Sequence, residues 1–341
     1  MNDSNCSIPG PSITHETPGA AQANNIVAAS AESIARAARL LRDGNVVGLP
    51  TETVYGLAGD GLNPAALARI FEIKQRPLYD PIILHFADAS AAFAVAASVP
   101  DAARQLAEKF WPGPLTLVVR KKEFVPDLAT SGLPKVAIRV PAHPVAQALL
   151  REFAGPLAAP SANRFGRISP TDAHAVRAEL GDAVPLILDG GPCRIGVEST
   201  VLDVSGKSIV LLRAGGVSAE DIEAIVAPVT RGKAVDTNPV SPGQLAHHYA
   251  PRKPLRLVAS AAEIPPGGEN GWLAFGHVTD ESNTLENISP AGDLREAAAN
   301  FFRLLRALDD DPRVKIIHAL RVPAQGLGLA INERLERAAT K

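Results

Sequence analysis

Polar and basic side chains occur at four places where predicted strands of the chain begin or end. The first lies directly after a short apolar strand, in the segment 50–57, where Thr51, Glu52 and Thr53 follow one another. Hydroxyl groups and backbone N–H groups at a strand end are typical of sites for small polar ligands. An ordinary turn from strand to loop is the alternative interpretation of this segment.

The second place has a lysine and an arginine at the end of a predicted helix. Lys74 and Arg76 are followed by Asp80 and, after a short strand, by His85. Lysine offers a point charge and arginine a planar two-pronged donor, so the two together suit a triphosphate. Complementation of the helix dipole by the same two cations is the alternative.

The third place is a charged residue within an apolar strand, followed along the chain by a polar turn. Arg139 shares one strand face with Lys135 because side chains alternate, and a charge there needs a partner such as a carboxylate. Ser161 and Asn163 follow a further short strand at 157–159. A turn capped by Asn or Ser side chains is the alternative for that segment.

The fourth place is Glu198-Ser199-Thr200, about a dozen residues before Arg213. Together the four places gather basic residues at strand or loop boundaries: Lys74, Arg76, Lys135, Arg139, Arg167, Arg194 and Arg213. The whole chain has 34 basic and 36 acidic residues and a net charge of −2. A local basic excess in a slightly acidic protein predicts a concave anion site rather than general affinity for nucleic acid.

Standard motifs for nucleophiles and phosphate loops fail. Gly206-Lys207-Ser208 lacks the glycine that a P-loop has five residues earlier, where this chain has Val201, so we expect a hairpin turn. No Gly-x-Ser-x-Gly elbow occurs. Cys193 has no signature of a catalytic thiol, and we expect it to be a buried structural residue.

The pattern of apolar residues predicts two α/β domains in 341 residues. We expect a disordered leader at 1–25, a first domain with one twisted sheet at 26–228, a linker at 229–254 and a small Rossmann-like α/β domain at 255–341. Strands are expected at 46–49, 82–86, 115–120, 136–140, 157–159, 186–188, 200–204, 209–212, 255–258, 272–275 and 314–319. Helices are expected at 30–42, 64–74, 143–153, 171–180, 218–226, 294–307 and 329–338.

Composition excludes several classes of protein. Two cysteines, Cys6 and Cys193, are too few for a secreted disulfide framework or a cysteine-rich zinc site. The longest apolar stretch, 91–100, is about half the length that spans a bilayer. The first basic residue is Arg36, so the start of the chain lacks the charge of a signal peptide. We expect a cytoplasmic protein without a membrane partner.

Several strings of the chain, in this order and spacing, resemble the threonylcarbamoyl-AMP synthase family, the YrdC-like proteins, in its longer two-domain form. They are PTETVYGL at 50–57, KQRP at 74–77, FWPGPLTLV at 110–118, VAIRVPAHP at 136–144, APSANRFGRISPT at 159–171, LDGGPCRIGVESTVLD at 188–203, LLRAGG at 211–216, SPGQLAHHYAP at 241–251 and GLGLAINERL at 326–335. The resemblance covers about 27–341.

The resemblance implies a reaction in which L-threonine, bicarbonate and ATP give threonylcarbamoyl-AMP and pyrophosphate. It implies Mg²⁺ that arrives with ATP and is held mainly by phosphates. The product would be handed to a separate transferase complex that modifies tRNA, so direct tRNA binding is expected to be weak or absent.

The resemblance also assigns residues by motif position. Those that would hold the phosphates and the reacting carboxylate are Lys74, Arg76, Ser161 and Asn163. Those that match the nucleotide contacts are Arg76, Asp80, Lys135, Ser161, Ser169, Arg213 and Tyr249. Those that match the threonine pocket are Thr53, His85, Arg139, Ala159 and Ser199, with Arg139 opposite the threonine carboxylate. Tyr249 would bring the linker over the nucleotide as a lid. No protein metal site is implied.

Three positions depart from the family pattern. Asp80 replaces the usual Asn, and a carboxylate near phosphates would repel them unless it lies near magnesium or points away. Ala214 replaces the proline of Leu-Arg-Pro-Gly, which implies a small loss of turn rigidity. Lys135 replaces a small polar residue, so the contact there would be through the backbone.

Two other functions stay open at this point. One is an RNA-binding module, which the low aromatic content of 4% does not favour. The other is carbamoyl transfer from carbamoyl phosphate, which occurs on the same fold in larger chains with zinc-finger segments, whereas no CxxC pair occurs here.

Overall fold

A computed structural model describes residues 25–226, 228–232, 248–278 and 284–339. In these ranges the chain forms two sheets, one of eleven strands and one of four, with helices packed against them. The larger sheet is mixed and the smaller one is parallel throughout. The α/β class with a small second α/β unit is therefore confirmed.

The first unit consists of the larger sheet and its helices. Its strands are β1 Ile26–Ala28, β2 Val47–Leu49, β3 Gly56–Asp60, β4 Ile83–His85, β5 Leu115–Arg120, β6 Lys135–Arg139, β7 Leu157–Ala158, β8 Ile187–Asp189, β9 Thr200–Asp203, β10 Val210–Arg213 and β11 Thr230–Arg231. Its helices are α1 Ala31–Arg42, α2 Pro64–Lys74, α3 Ala89–Ala94, α4 Asp101–Phe110, α5 Asp127–Thr130, α6 Pro144–Phe153, α7 Ala173–Leu180 and α8 Ala219–Glu223. The strand order is β1-β8-β2-β3-β7-β4-β6-β5-β9-β10-β11.

Local capping chemistry sets where several helices begin. Ser30 caps α1 with a reciprocal bond to Ser33. Asn63 caps α2 ahead of a proline at the first helical position, and His143 caps α6 in the same way. Because each cap residue has extended backbone and accepts an N–H of the first turn, it fixes the boundary to the residue.

The second unit is a parallel sheet in the order β12-β15-β13-β14. Its strands are β12 Leu255–Leu257, β13 Asn270–Ala274, β14 Thr284–Asn287 and β15 Ile316–Ala319, and its helices are α9 Leu294–Asp310 and α10 Leu327–Ala339. Helices α9 and α10 contribute to an apolar core that continues into the first unit. Val54, Val197 and Ala214 of the first unit belong to the same cluster as Phe301 and Phe302 of α9. The two units therefore share one interior at their junction.

Two glycines allow the chain to come close at this junction. Gly196 has a φ of 77°, and a Cβ there would lie 2.2 Å from the backbone oxygen of Ala298 in α9. A Cβ on Gly215 would lie 2.3 Å from the carbonyl oxygen of Glu198. Only glycine fits such backbone contacts, so both loops are held against their neighbours.

Some predicted boundaries differ from the structure or lie outside its described ranges. Of the predicted leader only Asn25 is described, and its side chain donates to the carbonyls of Gly181 and Val184. Of the predicted linker, 229–232 and 248–254 are described, and β11 adds two of its residues to the first sheet. No helix in the described ranges is long and apolar enough to cross a membrane.

Candidate active site

A cavity opens on one face of the larger sheet, next to the carboxyl ends of β4, β6 and β10. The empty space between its walls is about 490 Å³ including the mouth. The predicted threonine residues all line it: Thr53, His85, Arg139, Ala159 and Ser199. Four predicted phosphate or nucleotide residues line it as well: Arg76, Ser161, Arg213 and Tyr249. Its wall is completed by Val54, Ile83, Pro160, Glu198 and His248.

Strand register brings the predicted threonine residues together. His85 of β4 is the pairing partner of Arg139 of β6, and Thr116 of β5 is paired with Arg139 on the other side. Paired residues point to the same face of a sheet, so these side chains share one surface. Ser199 directly precedes β9 and contacts the Thr116 hydroxyl at 2.8 Å.

Thr53 reaches the cavity from the turn between β2 and β3. These two strands pair antiparallel, and Leu49 faces Gly56 across the pair. The Thr51 hydroxyl accepts the N–H of Thr53 and donates to the carbonyl of Val54, which fixes the turn. The segment is thus a turn within a strand pair, whereas the sequence analysis placed a strand on only one side of it.

Arg139 is buried and uses three of its nitrogens within the protein. Nη2 donates to Glu52 at 2.6 Å, Nη1 donates to the Thr53 hydroxyl at 3.0 Å, and Nε donates to the carbonyl of Gly113 at 3.2 Å. The carboxylate predicted as a partner for this arginine is therefore Glu52. Glu52 also accepts the N–H of Ala142, so both of its oxygens are satisfied.

The two histidines of the cavity are neutral at pH 7. Burial, reinforced by the charge of Arg139, lowers the pKa of His85 to about 3. Burial lowers the pKa of His248 to about 3 as well, against the opposing effect of Glu198. Both imidazoles can therefore take part in hydrogen bonds without adding charge.

The two basic residues of the Lys-x-Arg pair occupy different positions relative to the cavity. Lys74 is buried outside the cavity lining, and its Nζ donates to the carbonyls of Ser161 and Asn163. Burial, reinforced by Arg76, lowers the pKa of Lys74 well below its ordinary value. Arg76 does reach the cavity, so the structure brings only the arginine of the pair to the open space.

Asp80 forms a buried ion pair with Arg76. The two side chains meet at 2.8 Å, and Arg76 also donates to the backbone carbonyls of Asp80 and Pro81. Burial raises the pKa of Asp80, and the charges of Arg76 and Lys74 oppose that rise. The carboxylate that replaces the family's usual amide therefore lies against a cation and outside the cavity lining.

Three further predicted residues lie outside the cavity wall. Lys135 is at the opposite end of β6 from Arg139, about 13 Å away at the usual rise of a strand, and it pairs with Asp203 at 2.7 Å. Ser169 donates to Glu198 at 2.6 Å. The Asn163 amide donates to the carbonyls of Arg164 and Arg167 and so closes its own loop.

The Ser199 segment is held by Arg213. Nε and Nη2 of Arg213 donate to the carbonyl of Ser199 at 3.1 and 2.9 Å, and Nη2 also lies 3.1 Å from the Ser199 hydroxyl. Burial lowers the pKa of Arg213 from its ordinary value, opposed by Tyr249 and Glu198. A guanidinium stays protonated in spite of such a shift, so Arg213 adds a fixed positive charge.

Tyr249 covers the cavity from the end of the linker. Its ring centroid lies 4.1 Å from that of His248 and 5.6 Å from that of Phe302 in α9. The side chain is buried, and its hydroxyl has no hydrogen-bond partner among the described residues. His247 and the preceding SPGQLA string lie outside the described ranges.

Glu198 is a site residue that the sequence analysis left without a role. It accepts the Ser169 hydroxyl on one oxygen and Arg334 of α10, at 2.8 Å, on the other. Burial would raise the pKa of Glu198, but Arg334, Arg213 and the Ser169 hydrogen bond outweigh it and hold the pKa at about 2. Its position in the string GVEST, in a domain with many basic residues at strand ends, could have identified Glu198 as a site residue from the sequence.

We predict that Glu198→Gln flattens the pH dependence of stability. The pKa of Glu198 is lowered on folding from 4.5 to about 2, so its stabilising contribution is complete above pH 4.5 and is lost as the pH falls towards 2. Between pH 7 and pH 3.5, wild type should lose about 1 kcal/mol more unfolding free energy than the variant. Urea titrations at both pH values measure the difference.

The matched control is Glu152→Gln, at an exposed position. Its loss of stability between the two pH values should parallel that of wild type. Parallel curves for wild type and Glu198→Gln would contradict the lowered pKa of Glu198.

Two family models match consecutive parts of the chain. Residues 39–215 match the Sua5/YciO/YrdC model, described as "Telomere recombination". Residues 217–340 match the model described as "Threonylcarbamoyl-AMP synthase, C-terminal domain". The second model therefore includes α8, the linker and the smaller sheet.

Similar proteins cover nearly the same length. A threonylcarbamoyl-AMP synthase of Pyrococcus abyssi is 41% identical over 317 residues, which are 89% of this chain and 92% of the relative. One of Bacillus subtilis is 41% identical over 321 residues, 90% of this chain and 92% of the relative. The crystal structure of P. abyssi Sua5 complexed with L-threonine superposes with a TM-score of 0.84 at 38% identity and covers 92% of this chain and 96% of that one. With both models matched and relatives similar along almost their whole length, the chain belongs to the threonylcarbamoyl-AMP synthase family.

Proposed function

We propose that this chain makes threonylcarbamoyl-AMP from L-threonine, bicarbonate and ATP, with release of pyrophosphate. The observation that carries the proposal is that one cavity is lined both by Thr53, Arg139 and Ser199 and by Arg76 and Arg213. One group suits an amino acid, and the other suits phosphates. Their closeness suits a reaction that joins the two.

The chemistry proceeds in two balanced steps. The threonine amine adds to bicarbonate and gives a carbamate with loss of water. A carbamate oxygen then attacks the α-phosphorus of ATP, a new P–O bond forms, and the bond to pyrophosphate breaks. Neither step needs a covalent nucleophile from the protein, since positioning and stabilisation of charge supply most of the catalysis in such transfers.

Arg139 is our candidate for the threonine carboxylate. A guanidinium has five N–H donors, and Glu52, Thr53 and Gly113 take one from each nitrogen. The two terminal nitrogens carry four N–H groups, and the bonds to Glu52 and Thr53 use one on each, so a substrate carboxylate can accept from the same guanidinium. The neutral His85 and the small Ala159 beside it add no charge to this part of the pocket.

Arg76 and Arg213 are our candidates for the phosphates, with Ser161 between the two halves of the cavity. Lys74 and Asn163 would act from behind, because they shape the loop that carries Ser161. Ser169 would act through Glu198, and Lys135 through its backbone. Asp80 would hold Arg76 in its orientation rather than touch the nucleotide.

Magnesium would enter with ATP. No cluster of three His, Cys, Asp or Glu side chains that could hold a metal occurs among the described residues. The buried carboxylates Asp80 and Glu198 are each paired with an arginine. These residues fit an ion carried by the phosphates, which would supply charge neutralisation there.

We further propose the division into a catalytic domain at 26–228, a lid at 229–254 and a small domain at 255–341. Tyr249 is the lid residue that would cover the nucleotide and keep water from the labile product. We propose that the product passes to a tRNA-modifying transferase complex, that the protein is cytoplasmic and that its own affinity for tRNA is weak or absent.

The direct experiment measures pyrophosphate released from ATP, Mg²⁺ and bicarbonate with and without L-threonine, and identifies the nucleotide by mass spectrometry. We expect threonine-dependent release and a threonylcarbamoyl adduct of AMP. Folded protein that binds ATP without threonine-dependent release would contradict the proposal. AMP formed from ATP only when carbamoyl phosphate is present, or salt-sensitive RNA binding without turnover, would point to the two alternative functions.

We predict that Arg139→Lys raises KM for L-threonine about tenfold to a hundredfold and leaves KM for ATP within about twofold. Lysine keeps the charge but cannot bond Glu52, Thr53 and a substrate carboxylate at once. Initial rates at varied threonine measure the effect. Arg120→Lys is the matched control at an exposed position of β5. An unchanged KM for threonine in Arg139→Lys would remove Arg139 from the pocket.

We predict that Tyr249→Phe raises KM for ATP by about threefold to tenfold. The variant keeps the ring packing and removes only the unpartnered hydroxyl, whose expected acceptor is the nucleotide. Tyr55→Phe is the contrasting variant, because the Tyr55 hydroxyl donates to the carbonyl of Gly191 at 2.8 Å. It should lower stability without changing KM for ATP. A Tyr249→Phe enzyme with the ATP affinity of wild type would refute the hydroxyl contact.

A further inference from the structure

A charged side chain of the second unit supports a residue of the active site. Arg334 of α10 is the largest side chain among the fully buried ones, and it leaves its own core to meet Glu198 at 2.8 Å. The pair joins positions 136 residues apart. Isolated charges are rarely buried, so an arginine in this position needs a partner of opposite charge.

The partner of Arg334 is Glu198. Glu198 lines the cavity together with Arg76 and Arg213, the proposed phosphate residues. An unpaired carboxylate there would repel a triphosphate through a medium that screens charge poorly. Arg334 places a positive charge 2.8 Å from the carboxylate of Glu198.

The same guanidinium touches the lid. Its central carbon lies 5.4 Å from the centroid of the Tyr249 ring, at a distance suited to a cation–π interaction. Loss of Arg334 would thus remove support from both the carboxylate and the ring that covers the nucleotide.

Helix α10 also grips the backbone next to Arg213. Nη1 of Arg334 donates to the carbonyl of Ala214 at 2.8 Å, and the N–H of Ala214 donates to Glu333 at 3.2 Å. The proline usual at position 214 in the family has no N–H, so the second bond depends on the alanine of this chain. The clamp replaces the rigidity that a proline would give to the turn.

We propose that Arg334 is a positioning residue of the active site: it neutralises Glu198 beside the bound phosphates and holds Tyr249 and Ala214 in place. The small domain then contributes to ATP binding in addition to anchoring the lid. This inference rests on the proposed function only for the identity of the anion, which is the triphosphate of ATP.

The test separates charge neutralisation from simple packing. Arg334→Met should weaken ATP binding at least about tenfold, because it leaves Glu198 charged and without its arginine partner, and the dissociation constant of L-threonine, also measured by calorimetry, should change less than threefold. The double variant Arg334→Met with Glu198→Gln should recover most of the ATP affinity, since the uncompensated charge is gone. Arg321→Gln, which removes an exposed arginine of the same unit, is the matched control and should bind ATP like wild type.

ATP affinity is measured by calorimetry on protein shown by circular dichroism to be folded, so the result does not depend on turnover. If wild type binds ATP but lacks threonine-dependent pyrophosphate release, the proposed function fails, and the ATP affinities of the variants still test this inference. Equal losses for both substrates, or a double variant as weak as Arg334→Met, would overturn it. Should Arg334→Met fail to fold, Arg334→Gln, which keeps polar groups but carries no charge, takes its place, and an ATP affinity equal to wild type in folded Arg334→Gln would overturn the positioning role.

Discussion

Buried arginines held by buried carboxylates are the constraint on which this site depends. Arg139 meets Glu52, Arg76 meets Asp80, and Arg334 meets Glu198, each with both side chains almost without solvent exposure. A buried guanidinium needs a charged partner, because an unpaired charge is costly to bury. A carboxylate occupies only some of the five N–H groups of the guanidinium, so the others can bind further acceptors. The cations are thereby oriented before any substrate arrives, which is how electrostatic preorganisation is built into a structure.

The pairs also limit the charge that the cavity presents. Without Glu52, Asp80 and Glu198, the cations around the cavity would repel one another in a poorly screened interior. With them, the cations can lie close together before a negatively charged ligand binds. We infer that the carboxylates serve binding by allowing several arginines to be buried within one small volume.

The rest of the architecture positions these pairs. The larger sheet sets the spacing of His85, Arg139 and Ser199 through strand register, and the turn between β2 and β3 supplies Glu52 and Thr53. The smaller unit closes the back of the site, where its α9 packs on Tyr249 and its α10 supports Glu198. The shared apolar core at the junction keeps these contacts in register.

Local patterns in the sequence predicted most elements but missed helices α3, α4 and α5 and several strands that depend on long-range pairing. The caps at Ser30, Asn63 and His143 carry their own chemistry, so the helix starts were predictable within a residue or two. Strand β3, with the residues GLAGD, has low intrinsic strand propensity and forms because β2 and β7 pair with it. The Gly206-Lys207-Ser208 segment does connect two antiparallel strands, as predicted.

The site divides in the same way. Nine of its fourteen lining residues were predicted, and the resemblance to the family assigned their roles by motif position. The partner of Arg139 was predicted as a carboxylate, but its identity as Glu52, 87 positions away, depends on the fold. Glu198 and Arg334 were missed for the same reason, since their pairing spans two units.

The most direct test is a crystal structure of the chain with L-threonine and a non-hydrolysable ATP analogue. The account predicts the threonine carboxylate within about 3 Å of the Arg139 guanidinium, the phosphates against Arg76 and Arg213, and the Tyr249 ring over the nucleotide. It would be contradicted by threonine bound away from Arg139, or by a nucleotide that lies outside this cavity.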